Sequence, residues 1–170
     1  MLWGVRIRTA TEADWAAIWP FFRAIVAAGD TYTFPRDLDE RAGHDIWMLE
    51  PPARTVVAVD EDGTVLGSAK MNRNHMGAAS HIAGASFMVD PAASRKGVGR
   101  ALGEYALKWA AEEGYRAMQF NAVVETNHRA VALWKSLGFH IVGTLEEGFL
   151  HPEHGYVGLH IMYQRLTPTT

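Results

Sequence analysis

Cysteine is absent from all 170 residues, which excludes a disulfide framework, a thiolate zinc site and a thiol nucleophile. Neither sign of charge dominates: 16 Lys and Arg face 19 Asp and Glu, for a net charge of -3. A chain so balanced carries no basic field for nucleic acid or an anionic membrane. Apolar runs long enough to span a bilayer are also missing. The opening Met1-Leu2-Trp3-Gly4-Val5-Arg6 lacks a signal-peptide core, with Glu12 and Asp14 soon after, so a cytoplasmic protein is expected. No linker or internal repeat interrupts the chain, and residues 1–170 are expected to form a single domain. What is present is ordinary globular composition, 48% hydrophobic and 21% charged. Histidines 75, 81, 151, 154 and 160 match no zinc spacing. No metal is expected, and His151-Pro152-Glu153-His154 is read as a surface loop.

Periodicity outlines the elements. Val5 to Arg8 alternates like a strand, and Thr11-Glu12-Ala13-Asp14 has the character of a helix cap. Trp15, Ile18, Trp19, Phe22 and Val26 recur at helical spacing. Thr31 to Arg54 is rich in Pro, Asp and aromatics, a loop with a short helix near Ala42 to Leu49. Val56 to Val59 and Val65 to Met71 form an expected hairpin turned at Asp62-Gly63. Ala85 to Val89 is a strand with Phe87 and Val89 on one face and Met88 on the other, ended by Asp90-Pro91. A helix from Gly99 to Glu113 carries one apolar stripe, with Gly114 as its cap. Met118 to Val124 reads as a strand and Asn127 to Leu137 as a helix closed by Gly138. Ile141 to Gly143 and Tyr156 to Tyr163 are the last strands. Hairpins followed by strand–helix–strand–helix–strand predict an α/β sheet of mixed direction.

Between a strand and a helix stands Ser94-Arg95-Lys96-Gly97-Val98-Gly99-Arg100-Ala101. Two glycines, free amides at a helix start and three cations suit a diphosphate. The Walker spacing and its Gly-Lys-Ser/Thr ending are absent. The dinucleotide fingerprint needs glycine at Leu102, has Gly103 one step late, and finds no acidic residue near Ala117 to Gln119. An acyl-CoA loop and a plain strand-to-helix turn remain.

Val89-Asp90-Pro91 through Gly97-Val98-Gly99-Arg100-Ala101-Leu102 resembles the CoA-binding motif of the GNAT acetyltransferases. Thirty residues later, Asn127-His128-Arg129-Ala130-Val131-Ala132-Leu133-Trp134-Lys135-Ser136-Leu137-Gly138-Phe139 resembles that family's second hallmark. The resemblance implies an α/β GNAT fold: a mixed central sheet, splayed central strands, and helices on both faces. It implies acetyl-CoA as co-substrate, its pantetheine in the splay against the backbone near Met88 and Val89. The diphosphate would rest on Arg95, Lys96, Gly97, Val98, Gly99, Arg100 and Ala101. Ser94 departs from the Gln or Arg usual in the family.

On this resemblance the protein is an N-acetyltransferase acting on the amine of a small molecule, by direct attack in a ternary complex. Alternatives are acetylation of a protein N-terminus and a non-catalytic CoA-binding module. Backbone N–H groups near Met88 and Val89 suit the oxyanion. Trp134 stands where many members have a tyrosine acid, so a proton donor to the thiolate is expected to be missing. Asn127 reads either as a cap or as a donor to the thioester sulfur. Asn121, an unusual residue inside a strand, reads as a buried group awaiting the acceptor. Tyr32, Phe34 and His81 join it in the expected acceptor pocket, and His75 and His81 are candidate bases through water. Trp47 reads equally as pocket or core.

Phe120 to Asn127 with Leu133-Trp134, and Ser80-His81 upstream, resemble a subgroup that detoxifies proline analogues such as azetidine-2-carboxylate. Its acceptor would be an amino or imino acid. Gly84, where asparagine is expected, and His160 after Gly158 depart from that pattern. The assembly is left between monomer and homodimer.

Overall fold

The computed structural model describes residues 4–94 and 96–166. Seven strands form one sheet in the order β1-β2-β3-β4-β5-β7-β6. The chain enters through β1 (Arg6–Thr9), then α1 (Trp15–Ala28) and α2 (Glu40–Trp47). The hairpin β2 (Arg54–Val59) and β3 (Val65–Arg73) is followed by β4 (Ile82–Val89), α3 (Val98–Glu112) and β5 (Ala117–Val124). Then come α4 (His128–Ser136), β6 (His140–His151) and β7 (Gly155–Arg165). Every neighbouring pair is antiparallel except β4 with β5.

Strand alternation divides the core in two. On one face Ala83, Met118 and Phe120 pack with Leu102, Ala106 and Trp109 of α3 and Trp134 of α4. On the other, Val57, Val59 and Met88 pack with Trp15, Ile18, Phe22 and Trp47 of α1 and α2. Consecutive strand residues point to opposite faces, which is why Phe87 lies against the α3 cluster and Met88 against α1. Helices cover both faces, as the resemblance implied.

Two glycines shape this frame. Gly63 turns the β2–β3 hairpin with φ +83°, in the left-handed region that glycine adopts without a Cβ penalty. Gly103 permits close helix packing: a Cβ there would lie 2.8 Å from Leu137 and 3.0 Å from Trp134.

The last hairpin departs from expectation. β6 runs on to His151, well beyond Ile141 to Gly143. Among the described residues it pairs only with β7 at the sheet edge, and apart from the buried Phe149 it is largely exposed, so most of its sequence has no reason to alternate. Bulges after Ile141 and after Leu145, the latter with Glu147 at φ 53°, break the period further. His151 and His154 lie at the hairpin turn with their rings 4.5 Å apart.

Candidate active site

β4 and β5 pair at Ile82↔Ala117 and Ala83↔Met118 and then diverge. From Gly84 onward the edge of β4 away from β3 has no strand to satisfy it among the described residues. Antiparallel backbone groups alternate sides, and Phe87 shows which residues face the gap. Its N–H donates to the Tyr32 hydroxyl at 3.1 Å, and that hydroxyl donates to the Phe87 carbonyl. Burial pushes the Tyr32 phenol well above its ordinary value, so it stays a hydroxyl and a donor.

By the same alternation Val89 presents its backbone groups to the gap, and Met88 presents its own to β3. The Met88 carbonyl lies 2.8 Å from where a Gly67 Cβ would stand. Met88 is therefore corrected: its backbone belongs to the β3 ladder and its side chain to the α1 core.

The gap opens toward the glycine turn. Asp90 accepts from the Ala92 N–H at 2.9 Å and shapes the exit from β4. Gly97, with φ +74°, begins α3 without a side-chain cap. Ala101 donates its N–H to the Gly97 carbonyl at 3.1 Å, so that amide is not free for a ligand, a second correction. Val98, Gly99 and Arg100 precede Ala101, the first helical donor, and among the described residues their N–H groups stay open at the positive end of the dipole.

Arg100 differs from expectation in its side chain. The guanidinium turns to α4, donating to Ser136 Oγ at 2.6 Å and lying 3.5 Å from Glu104. Lys96 is exposed, and Arg95 lies outside the described residues. A Cβ on Gly99 would meet Leu133 at 3.5 Å and Val89 at 3.8 Å, ordinary contact distances. Protein packing therefore leaves room for a side chain at Gly99. No contact within the protein calls for glycine there.

Aromatic rings floor the gap on the α3 face. Trp134 is buried, with its ring 4.7 Å from Phe87 and 4.8 Å from Phe120. Phe120 stacks on Phe139 at 4.3 Å. Asn127 caps α4: its side-chain oxygen accepts from the Ala130 N–H at 3.2 Å. Its amide nitrogen has no hydrogen-bond partner among the described residues.

The opposite face carries the expected acceptor groups. Tyr32 and Phe34 stack at 5.4 Å, while Trp47 is fully buried and donates to Ser68 Oγ at 2.8 Å. Trp47 is thus core. Lys70, half-buried on β3, donates to the Ile46 carbonyl at 3.0 Å.

Asn121 is exposed, which corrects the expectation of burial. It sits in a β-bulge: Phe120 faces Met162 and Val123 faces His160, leaving Asn121 and Ala122 opposite one residue. The bulge explains an asparagine inside a strand. Its side chain pairs with Asn74 and accepts from Gln119 at 2.9 Å.

Two further departures have local reasons. A Cβ on Gly84 would meet Asn74 Oδ1 at 3.1 Å, so Asn74 occupies the space over that residue. His160 bonds Thr144 through Nδ1 at 2.7 Å. His81 is exposed and lines a cleft of about 570 Å³ with His75, Asn72, Asn74 and Tyr115. Lys70 and Asn74 were missed in the sequence. A charge between the apolar Ala69 and Met71 was the available signal for Lys70, whereas nothing marked Asn74. Among the described residues no group of three His, Asp or Glu converges for a metal, and no helix is long and apolar enough to cross a membrane.

A sheet parted between two parallel strands, with open amides at one mouth, defines an acyl-CoA-type transferase architecture. The family model described as the Acetyltransferase (GNAT) family matches residues 15–139, and the chain belongs to that family. A GCN5-related N-acetyltransferase from Kribbella flavida has 55% identity and a TM-score of 0.94, covering 96% of this chain and 98% of its own. The N-acetyltransferase aca1 of Schizosaccharomyces pombe is 33% identical over 119 residues, 69% of this chain. That match spans 56% of the yeast protein's length. A phosphinothricin acetyltransferase from Sinorhizobium meliloti, solved with acetyl-CoA, shares the fold at a TM-score of 0.86 and 24% identity. The alignment covers 98% of this chain and 94% of that one.

Proposed function

We propose that the protein transfers the acetyl group of acetyl-CoA to the amine of a small amino or imino acid, by direct attack in a ternary complex. The single observation carrying this reading is the parting of β4 and β5 beyond Ala83 and Met118, which runs between the open amides of Val98 to Arg100 and the Tyr32–Phe34 wall. Pantetheine would lie along β4 against the gap-facing backbone of Val89, and the diphosphate on the amides at the start of α3. The aromatic wall on the α1–α2 side favours a small acceptor over a protein N-terminus.

The chemistry asks little of acid catalysis. A neutral amine attacks the thioester carbonyl carbon, forming the C–N bond and moving the carbonyl electrons onto oxygen. A backbone N–H directed into the gap, as at Val89, suits that oxyanion. Collapse breaks the C–S bond, and a thiol of pKa about 8.5 leaves as thiolate while the nitrogen loses its proton to solvent. Indole cannot act as an acid, and Trp134 serves as packing under the reacting groups. Asn127, whose amide nitrogen is open, is the candidate donor to sulfur.

Thermal melting and thiol release test the reading together. Acetyl-CoA should raise the melting temperature where NAD and ATP do not, and an amine panel should yield free CoA in step with acetylated product. Stabilisation by NAD or ATP in place of acetyl-CoA would overturn it. Binding without turnover on any amine leaves a CoA-binding module.

A further inference from the structure

We infer that the acetyl acceptor carries a carboxylate and that the ammonium group of Lys70 is its anchor. The inference rests on the acetyltransferase reading above and adds to it the residue that reads the acceptor's carboxylate.

Lys70 interrupts a buried strand. Its neighbours Ala69 and Met71 are fully buried, and across the ladder it faces Ser86 of β4. The side chain leaves the sheet on the α1–α2 face. There Nζ lies 5.9 Å from the Phe34 ring centroid and 5.8 Å from that of Trp47. Among the described residues one of its three donors is used, toward the Ile46 carbonyl at 3.0 Å. The ion pairs among the described residues involve Arg8, His44, Arg54, Arg100 and Lys108, and none involves Lys70.

A largely desolvated ammonium without a counter-ion is unfavourable, and two aromatic faces offset only part of that. Burial accordingly pulls the Lys70 ammonium below its ordinary value. A carboxylate arriving with the acceptor removes the penalty and takes up the free donors.

Placement agrees with the chemistry. Ser86 precedes Phe87, whose backbone groups lie in the gap under the Tyr32 hydroxyl. Phe34 stacks on Tyr32 and also lies beside the Lys70 ammonium. Neighbouring strands lie about 4.8 Å apart. An α-amino or imino acid holds amine and carboxylate on one carbon, so a carboxylate at Lys70 over β3 leaves the amine over β4, beside the gap. A protein N-terminus cannot meet this requirement, because its α-carboxyl is an amide.

Calorimetry on the CoA-loaded protein, paired with acetylation kinetics, tests the inference. The probes are the protein amino acids and azetidine-2-carboxylate, each against its own carboxamide. At least one acid should bind and be acetylated about 10- to 100-fold better than its carboxamide, as one hydrogen bond to a charged group would give. In Lys70→Met that ratio should fall toward one through a rise in KM, with the same loss in Lys70→Gln. Equal use of acids and carboxamides by the wild type overturns the inference. So does an acid preference that survives in Lys70→Met, or failure of every acid to bind. If one variant fails to fold, the other variant and the wild-type ratio still decide. Acids that bind through Lys70 without being acetylated would instead sink the transferase reading and leave the anchor standing.

Discussion

The side chains of Asn74 and Asn121 exchange two hydrogen bonds, 3.1 and 2.8 Å long, and so join the end of β3 to the bulge of β5. Gly84 of β4 lies beneath, its missing Cβ giving Asn74 its space. The link spans the root of the splay on the acceptor face. Both groups are amides with donors and acceptors to offer a substrate, and Asn121 is exposed. Asn121→Ala is expected to raise the acceptor KM with acetyl-CoA affinity nearly intact. Asn74→Ala should do much the same, and the double variant should be less damaging than the two effects added, because the residues act as a pair. Additive effects in steady-state kinetics would show that they act separately.

Asn127 has two separable jobs. Asn127→Asp keeps the oxygen that caps α4 but removes the amide donor. Asn127→Ala removes both and should lose about 1 kcal/mol of stability. Turnover should fall in both variants for every acceptor, about 10²-fold if the amide acts like an oxyanion donor. Full activity in a well-folded Asn127→Asp would reduce the residue to a cap.

The two glycines of the turn should fail differently. Gly97 holds φ +74°, so Gly97→Ala should lose about 1 kcal/mol of stability. Gly99→Ala has room in the fold and should melt near the wild-type temperature while binding acetyl-CoA more weakly. Gly99→Asp should abolish binding, since a carboxylate would enter the diphosphate site. Melting curves with and without acetyl-CoA separate the cases.

Trp134 is buried among Phe87, Phe120 and Phe139. Trp134→Ala should destabilise by about 3–5 kcal/mol, and Trp134→Tyr should keep substantial activity. Denaturant unfolding of a fully stable Trp134→Ala would refute the packing role.

Acid sensitivity has one clear local source. Arg8 grips Asp14 through both terminal guanidinium nitrogens at 2.7 and 2.8 Å, and the Thr11 N–H adds a bond of 2.7 Å. Led by the Arg8 hydrogen bonds, these hold the Asp14 carboxyl down at about 2. A depressed folded-state pKa contributes stability above the unfolded value near 4 and loses it as pH falls toward 2. At most about 2 kcal/mol is involved, because Arg8 is partly exposed and screened. Unfolding between pH 2 and 5 should therefore be less pH-dependent in Asp14→Asn than in the wild type. Parallel curves would exclude this source.

Much of this architecture was legible in the chain because it is local. The 3.6-residue stripe of α3, the caps at Asn127 and Gly114, and the Asp62-Gly63 turn depend on a few adjacent residues. The family motifs lie in two such stretches, from Val89 to Leu102 and from Asn127 to Phe139, so fold and likeness could be read together. β6 was only partly legible, since a largely exposed edge strand with two bulges has little pattern to show.

Tertiary structure alone decided where side chains meet. Asn121 looked buried because a strand of Phe120, Val123 and Val124 surrounds it; the bulge opposite Ile161 in which it lies exposed is set by pairing with a strand some 40 residues on. Met88 and Val89 are adjacent in sequence, yet only the pairing of β4 with β3 determines which of them faces the gap. Arg100 was counted as a phosphate cation until Ser136, on another helix, claimed its guanidinium. The Lys70 environment depends on Phe34, Ile46, Trp47 and Ser86, drawn from three separate stretches of the chain. Such contacts follow from the closing of loops and the docking of layers, and no window of neighbouring residues contains them.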